Sequence, residues 1–229
     1  MYMYYDLTGY GLIIIATIIT LAAQFYLNSK YNKYSKINCK SNLSGVEVAR
    51  KILDANGLND VHVTEVKGML SDHYDPKRKV VRLSKDIFHG TSIASVSVAA
   101  HECGHAIQHK EGYFFIKLRG ILVPFVNFSS NFGYIAIMIG LIFGFMDLAW
   151  AGFGLLLMIL IFQLVTLPTE FNASTRAKEQ LSKLQIIDDY ELDGSKKMLN
   201  AAALTYVAGL ASTLLELLRM ALIIARRDD

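Results

Sequence analysis

ILVPFVNFSSNFGYIAIMIGLIFGF, residues 121–145, is followed after Met146 and Asp147 by LAWAGFGLLLMILIFQLVTL, residues 148–167. Neither run holds a charged side chain, and each is long enough as a helix to cross roughly 30 Å of hydrocarbon. A two-residue break leaves room only for a tight reversal. The pair is therefore expected to form an antiparallel helical hairpin whose outer ends lie on one side of a membrane. Gly11 to Leu27 is a third charge-free run, with Tyr10 and Tyr26 near its ends where aromatic rings favour the interface. The segment before it holds Asp6, no Lys or Arg and no small-residue cleavage site, so it reads as a span and not as a cleavable signal.

The whole composition agrees. Of 229 residues 53% are hydrophobic and 19% charged, with mean hydropathy +0.33, too apolar for an ordinary soluble domain. The net charge is only +3, and no Lys/Arg block is interleaved with aromatics, which excludes a nucleic-acid-binding class. Cys39 and Cys103 lack C-x-x-C spacing and read as free thiols, as suits a reducing compartment.

Basic residues then orient the spans. Lys30, Lys33, Lys36 and Lys40 follow the first run, Lys117 and Arg119 precede the second, and Arg176, Lys178 and Lys183 follow the third; the opposite ends carry Asp6 and Asp147. The positive-inside rule makes the basic side cytoplasmic and the N-terminus external. Leu199 to Ala225 is apolar but contains Glu216 and Arg219 and ends in Arg226 and Arg227. It reads either as a fourth span or as a helix packed on the catalytic part or lying at the interface.

Between the spans, Ser44 with Glu47 three residues on is a capping-box pattern, and Val48, Ala49, Ile52 and Leu53 continue it at helical spacing to Asn56–Gly57. Val61–Val66 and Val80–Leu83 read as short strands, the second reached from Met69–Leu70 through a turn at Asp75–Pro76. A helix is expected from near Thr91 to about His109.

That helix carries His101-Glu102-Cys103-Gly104-His105. Residues four apart lie one turn above each other, so two imidazoles can grip one zinc ion, with Glu102 beside the first ligand as general base. With six histidines and eight glutamates in the chain, chance supplies roughly 0.005 such motifs, so chance is set aside. A carboxylate must complete the ligand set. Glu170 is the best candidate: it follows the third run on the side to which the hairpin returns, and Pro168 is expected to end the membrane helix and start another. Asp193, in Leu192-Asp193-Gly194, resembles the ligand triplet of site-2-type intramembrane proteases, but Glu191 and Lys196 flank it as in a solvated turn. His109 shares the histidine face but lies too far along the helix.

Gly68–Pro76, Val81–Ser84, His101–Gln108 and Pro168–Phe171 together resemble the YugP-like family of membrane zinc metallopeptidases. The resemblance implies a multi-pass protein of a bacterial plasma membrane, with one zinc per chain held by His101, His105 and Glu170. HtpX-type membrane proteases are more distantly similar. Their ligand glutamate begins Glu-x-x-Ala-Asp-x-x-Ala; here Glu170, Ala173 and Ala177 match, Ser174 replaces the aspartate, and Asn172 stands where YugP-like chains are expected to have Asp. His73 and Tyr74 sit on a turn near a strand edge that an extended peptide could join, as substrate or oxyanion groups. Tyr206 is a weaker oxyanion candidate.

The expectation is thus a mostly α membrane protein: three or four transmembrane helices with a small cytoplasmic α+β zincin-like domain. Residues 1–28 form an anchor, 29–119 the α+β part with the histidine helix, 120–167 the hairpin, 168–198 a cytoplasmic helical part with the third ligand, and 199–229 the last apolar helix. The partners are a polypeptide substrate, unfolded or membrane-associated, and the lipid bilayer. Two other readings compete with peptide hydrolysis: a zinc-stabilised adaptor without turnover, and an intramembrane protease using Asp193.

Overall fold

A computed structural model describes residues 2–68 and 71–228. Met69 and Leu70 of the expected turn lie outside the described residues, as does the side chain of Asp6. The elements are α1 (Tyr2–Tyr34), α2 (Gly45–Ala55), β1 (His62–Val66), β2 (His73–Asp75), β3 (Val80–Ser84), α3 (Lys85–His89), α4 (Ile93–Lys110), α5 (Phe114–Phe143), α6 (Met146–Lys183) and α7 (Asp189–Asp228). The fold is mostly helical with one small sheet. Among the described residues, four helices (α1, α5, α6 and α7) are long and apolar enough to cross a membrane. The chain divides into two compact units, each built from separate stretches.

One unit comprises residues 1–24, 118–167 and 204–229. Its hairpin is tight because small residues face each other. A Cβ on Gly152 would lie 2.7 Å from the Gly133 carbonyl oxygen, and one on Gly140 would lie 2.6 Å from the Ala149 nitrogen. Without a hydrophobic force between helices in lipid, such backbone approach supplies the packing. Thr20 and Ser212 join α1 to α7 through a 2.8 Å hydroxyl contact. Glu216 and Arg219, the charges that made the last run ambiguous, neutralise each other in a two-pronged pair at 2.6 and 3.0 Å.

The other unit comprises residues 25–117 and 168–203. α2 starts where expected: the Ser44 N–H donates to the Glu47 carboxylate at 2.8 Å. Its apolar stripe of Val48, Ala49, Ile52 and Leu53 is fully buried in one cluster with Val96, Ala99, Ala100 and Cys103 of α4. That cluster fixes the helix on which the two histidines sit. The sheet has the order β1-β3-β2. β3 is central, parallel to β1 and antiparallel to β2, which leaves β2 at an edge.

Three local expectations change. His73 and Tyr74 lie on the short strand β2, not on a turn, because His73–Asp75 registers against Arg82–Val80 before the chain reverses. Pro168 does not break its helix: α6 runs from Met146 to Lys183 with the proline inside. A proline costs one backbone hydrogen bond, which a long membrane helix can absorb. α7 begins ten residues before the apolar stretch, since Asp188 and Glu191 cap it reciprocally, at 2.8 and 2.9 Å.

Candidate metal centre

α4 places His101 and His105 one turn apart, with ring centroids 4.8 Å apart and planes at 85°. α6 brings Glu170 to them: its Oε2 lies 3.2 Å from His101 Nε2 and 3.5 Å from His105 Nε2. One ligand atom from each residue falls within 4.8 Å of the others, a grouping that could hold a metal ion. Donors bound at about 2.0–2.2 Å around a tetrahedral ion stand roughly 3.3–3.6 Å apart. The two His–Glu separations, 3.2 and 3.5 Å, lie within about 0.1 Å of that range, and the His₂–carboxylate donor set is one that zinc takes with a position left open. Residues and spacing therefore fit the ion.

Close helix approach makes this possible. A Cβ on Gly104, between the two histidines, would meet the Ala173 carbonyl oxygen at 2.6 Å. Glycine here lets α4 and α6 touch backbone to backbone, three residues from Glu170. The Glu170 side chain is 3% exposed, so the carboxylate is aimed inward and is not a solvated helix-start glutamate.

Each imidazole is also held from behind. Ser174 Oγ lies 3.2 Å from His101 Nδ1, and Gln108 Oε1 lies 3.0 Å from His105 Nδ1. Gln108 Nε2 donates to the Thr169 carbonyl at 2.7 Å and to Asn172 Oδ1 at 3.0 Å. Asn172 Oδ1 also accepts from Arg176 Nε at 2.7 Å, and Arg176 pairs with Glu111 at 2.7 Å. Burial disfavours a charged His105, but the carboxylates of Glu170 and Glu102 outweigh it and hold its pKa above the ordinary value.

Glu102 is buried beside the histidines, only 8% exposed. Cys103 is directed elsewhere: its Sγ reaches the Ala49 carbonyl of α2 at 3.6 Å, and burial, then the Glu102 charge, push its thiol pKa up. A thiol kept protonated is a poor metal ligand.

The remaining candidates fall outside this group. Asp193 pairs with Lys197 at 2.5 Å on an exposed turn of α7. His109 contacts the Tyr74 hydroxyl at 3.1 Å, linking α4 to β2. His73 is exposed, with Nδ1 2.7 Å from the Ser71 carbonyl. Tyr206 lies on α7 within the other compact unit. Asn172 and Ser174 stand at positions the sequence comparison ties to ligand support, whereas the sequence alone does not single out Gln108 or Arg176. A usable signal existed: Gln108 follows His105 by three residues, and Ser174 follows Glu170 by four, which puts each on the face of a ligand.

The chain matches the model of a family described as "Putative neutral zinc metallopeptidase" over residues 10–225. It is 46% identical over 218 residues to "Putative membrane protease YugP" of Bacillus subtilis (strain 168), covering 95% of this chain and 97% of that one. No solved structure matches it.

Proposed function

Because the chain belongs to the zinc metallopeptidase family whose model spans nearly all of it, we propose that it is a membrane-bound zinc-dependent endopeptidase acting on the cytoplasmic side. The observation that carries this is the convergence of His101, His105 and Glu170, at metal-ligand separations, beside Glu102. These three residues would hold one zinc per chain. Zinc, when bound, supplies a Lewis acid that brings the pKa of a water down to about 7 and polarises a scissile carbonyl. Glu102 takes the proton of the attacking water as its oxygen bonds to the carbonyl carbon. As the C–N bond breaks, Glu102 returns that proton to the leaving amine. β2 offers a free strand edge along which an extended substrate can pair, with His73 and Tyr74 there as candidate substrate or oxyanion contacts. A substrate that must present an extended strand is an unfolded or membrane-proximal polypeptide. No observation supports the oxyanion role for Tyr206.

The features that would favour the adaptor are Asn172 and Ser174, which depart from the related patterns. Ser174 contacts the ligand His101 directly and Asn172 reaches His105 through Gln108, so neither departure favours the adaptor. The intramembrane reading needs Asp193 as a ligand, and Asp193 is outside the group.

The test is metal content and casein or self-cleavage on the full chain purified in detergent. One zinc per chain is expected, with cleavage abolished by a chelator and restored by zinc. Zinc without cleavage of any substrate favours the adaptor, and a protein that takes up no metal overturns the site.

The reading of a cytoplasmic site in a bacterial plasma membrane rests on the basic flanks of α1, α5 and α6. A fourth span leaves Arg226 and Arg227 outside, against nine basic residues on the other side. Cys39 and Cys103 are both buried, so one introduced cysteine can be labelled cleanly. In intact cells an impermeant thiol reagent should modify Asp147→Cys and spare Lys36→Cys; the opposite pattern reverses the topology.

A further inference from the structure

Gln108 is fully buried, and its amide has one way to satisfy its partners. The Thr169 carbonyl can only accept, so it fixes the Nε2 end at 2.7 Å. Asn172 presents its oxygen to the same nitrogen at 3.0 Å, and Asn172 is itself held that way round by Arg176 Nε, which can only donate. The oxygen end of Gln108 must therefore face His105 Nδ1 at 3.0 Å. An amide oxygen cannot donate, so the hydrogen between them belongs to the imidazole. In neutral imidazole a proton on Nδ1 leaves the lone pair on Nε2, the atom that faces Glu170. His101 has no such constraint, because the hydroxyl of Ser174 can donate or accept.

We propose that Gln108 is a positioning residue that holds His105 in the tautomer and ring orientation able to bind the metal. Through the Thr169 carbonyl it also ties α4 to the residue that precedes Glu170. The line of contacts runs outward from Gln108 through Asn172 and Arg176 to the exposed carboxylate of Glu111. The proposal rests on the metal-site reading above, and on the general behaviour of metal-bound histidines, whose second nitrogen is normally anchored by an acceptor.

Two measurements on the full chain in detergent test it. The first needs no variant at Gln108. In metal-free protein carrying ¹⁵N-histidine, on the alkaline side of its titration, the His105 resonances should show a protonated Nδ1 and a bare Nε2. His105→Ala supplies the assignment, and a proton on Nε2 overturns the proposal. The second is zinc affinity by chelator competition. Gln108→Leu should weaken zinc binding by about 10–100-fold. Wild-type affinity in Gln108→Leu, with zinc uptake lost in His105→Ala, overturns the role of Gln108 alone. Undiminished zinc in His105→Ala overturns the ligand assignment beneath it. If Gln108→Leu fails to fold, the wild-type tautomer decides.

Discussion

Glu102→Gln is expected to take up zinc like the wild type and to lose peptide cleavage by about 10²–10⁴-fold. The substitution keeps the size of the side chain and one carbonyl oxygen, so the packing around a residue only 8% exposed is preserved. What disappears is the capacity to accept a proton at neutral pH and to return it. Because Glu102 is not among the grouped ligand atoms, metal content should not follow activity down. Measuring zinc stoichiometry and single-turnover cleavage on the same preparation separates the two. Full activity in the variant removes Glu102 from the proton path; loss of both metal and cleavage makes it a structural residue.

The second large effect is expected at Glu170. Glu170→Ala removes one of three converging donors and leaves two imidazoles, so zinc affinity should fall by more than about a hundredfold, beyond what a supporting contact costs. Such protein should lose its metal during purification, and cleavage with it. Asp193→Ala is the matched control. Its carboxylate is about half exposed and paired with an equally exposed lysine one turn away, a contact of little consequence for stability. Zinc content and activity should stay at wild-type level. If zinc instead survives the first substitution and is lost in the second, the intramembrane alternative takes the place of the one proposed here.

The parts of this molecule that could be read from sequence are those whose signal is local. The hairpin is visible because the charge-free runs stop for two residues, and α5 and α6 indeed end and begin at Phe143 and Met146. α2 is visible because Ser44 and Glu47 cap it and its apolar residues recur at helical spacing. The two histidines announce themselves by one helical turn, and Glu170 is marked by its place where the hairpin must return. Pro168 misled because its local meaning, a break, is overridden in a helix already stabilised for another twenty residues upstream. β2 was missed because three residues next to Asp75–Pro76 carry a stronger turn signal than strand signal, and only pairing with β3 makes them a strand. The supports of the site were hidden for a different reason. That Gln108 meets Thr169 and Asn172 depends on the contact between α4 and α6 at Gly104 and Ala173, and no local pattern encodes it.

The carboxylate and the first histidine of the candidate centre stand 69 residues apart, and the interval is filled by the hairpin. Synthesis runs from the N-terminus at roughly 5–20 residues per second. Both histidines and Glu102 are therefore made several seconds before Glu170 exists, and in that time the chain delivers both apolar helices of the hairpin. The candidate metal centre thus cannot be assembled on a nascent chain whose hairpin has yet to be made. The order of the sequence alone delays completion of the ligand group until both helices of the hairpin have been made.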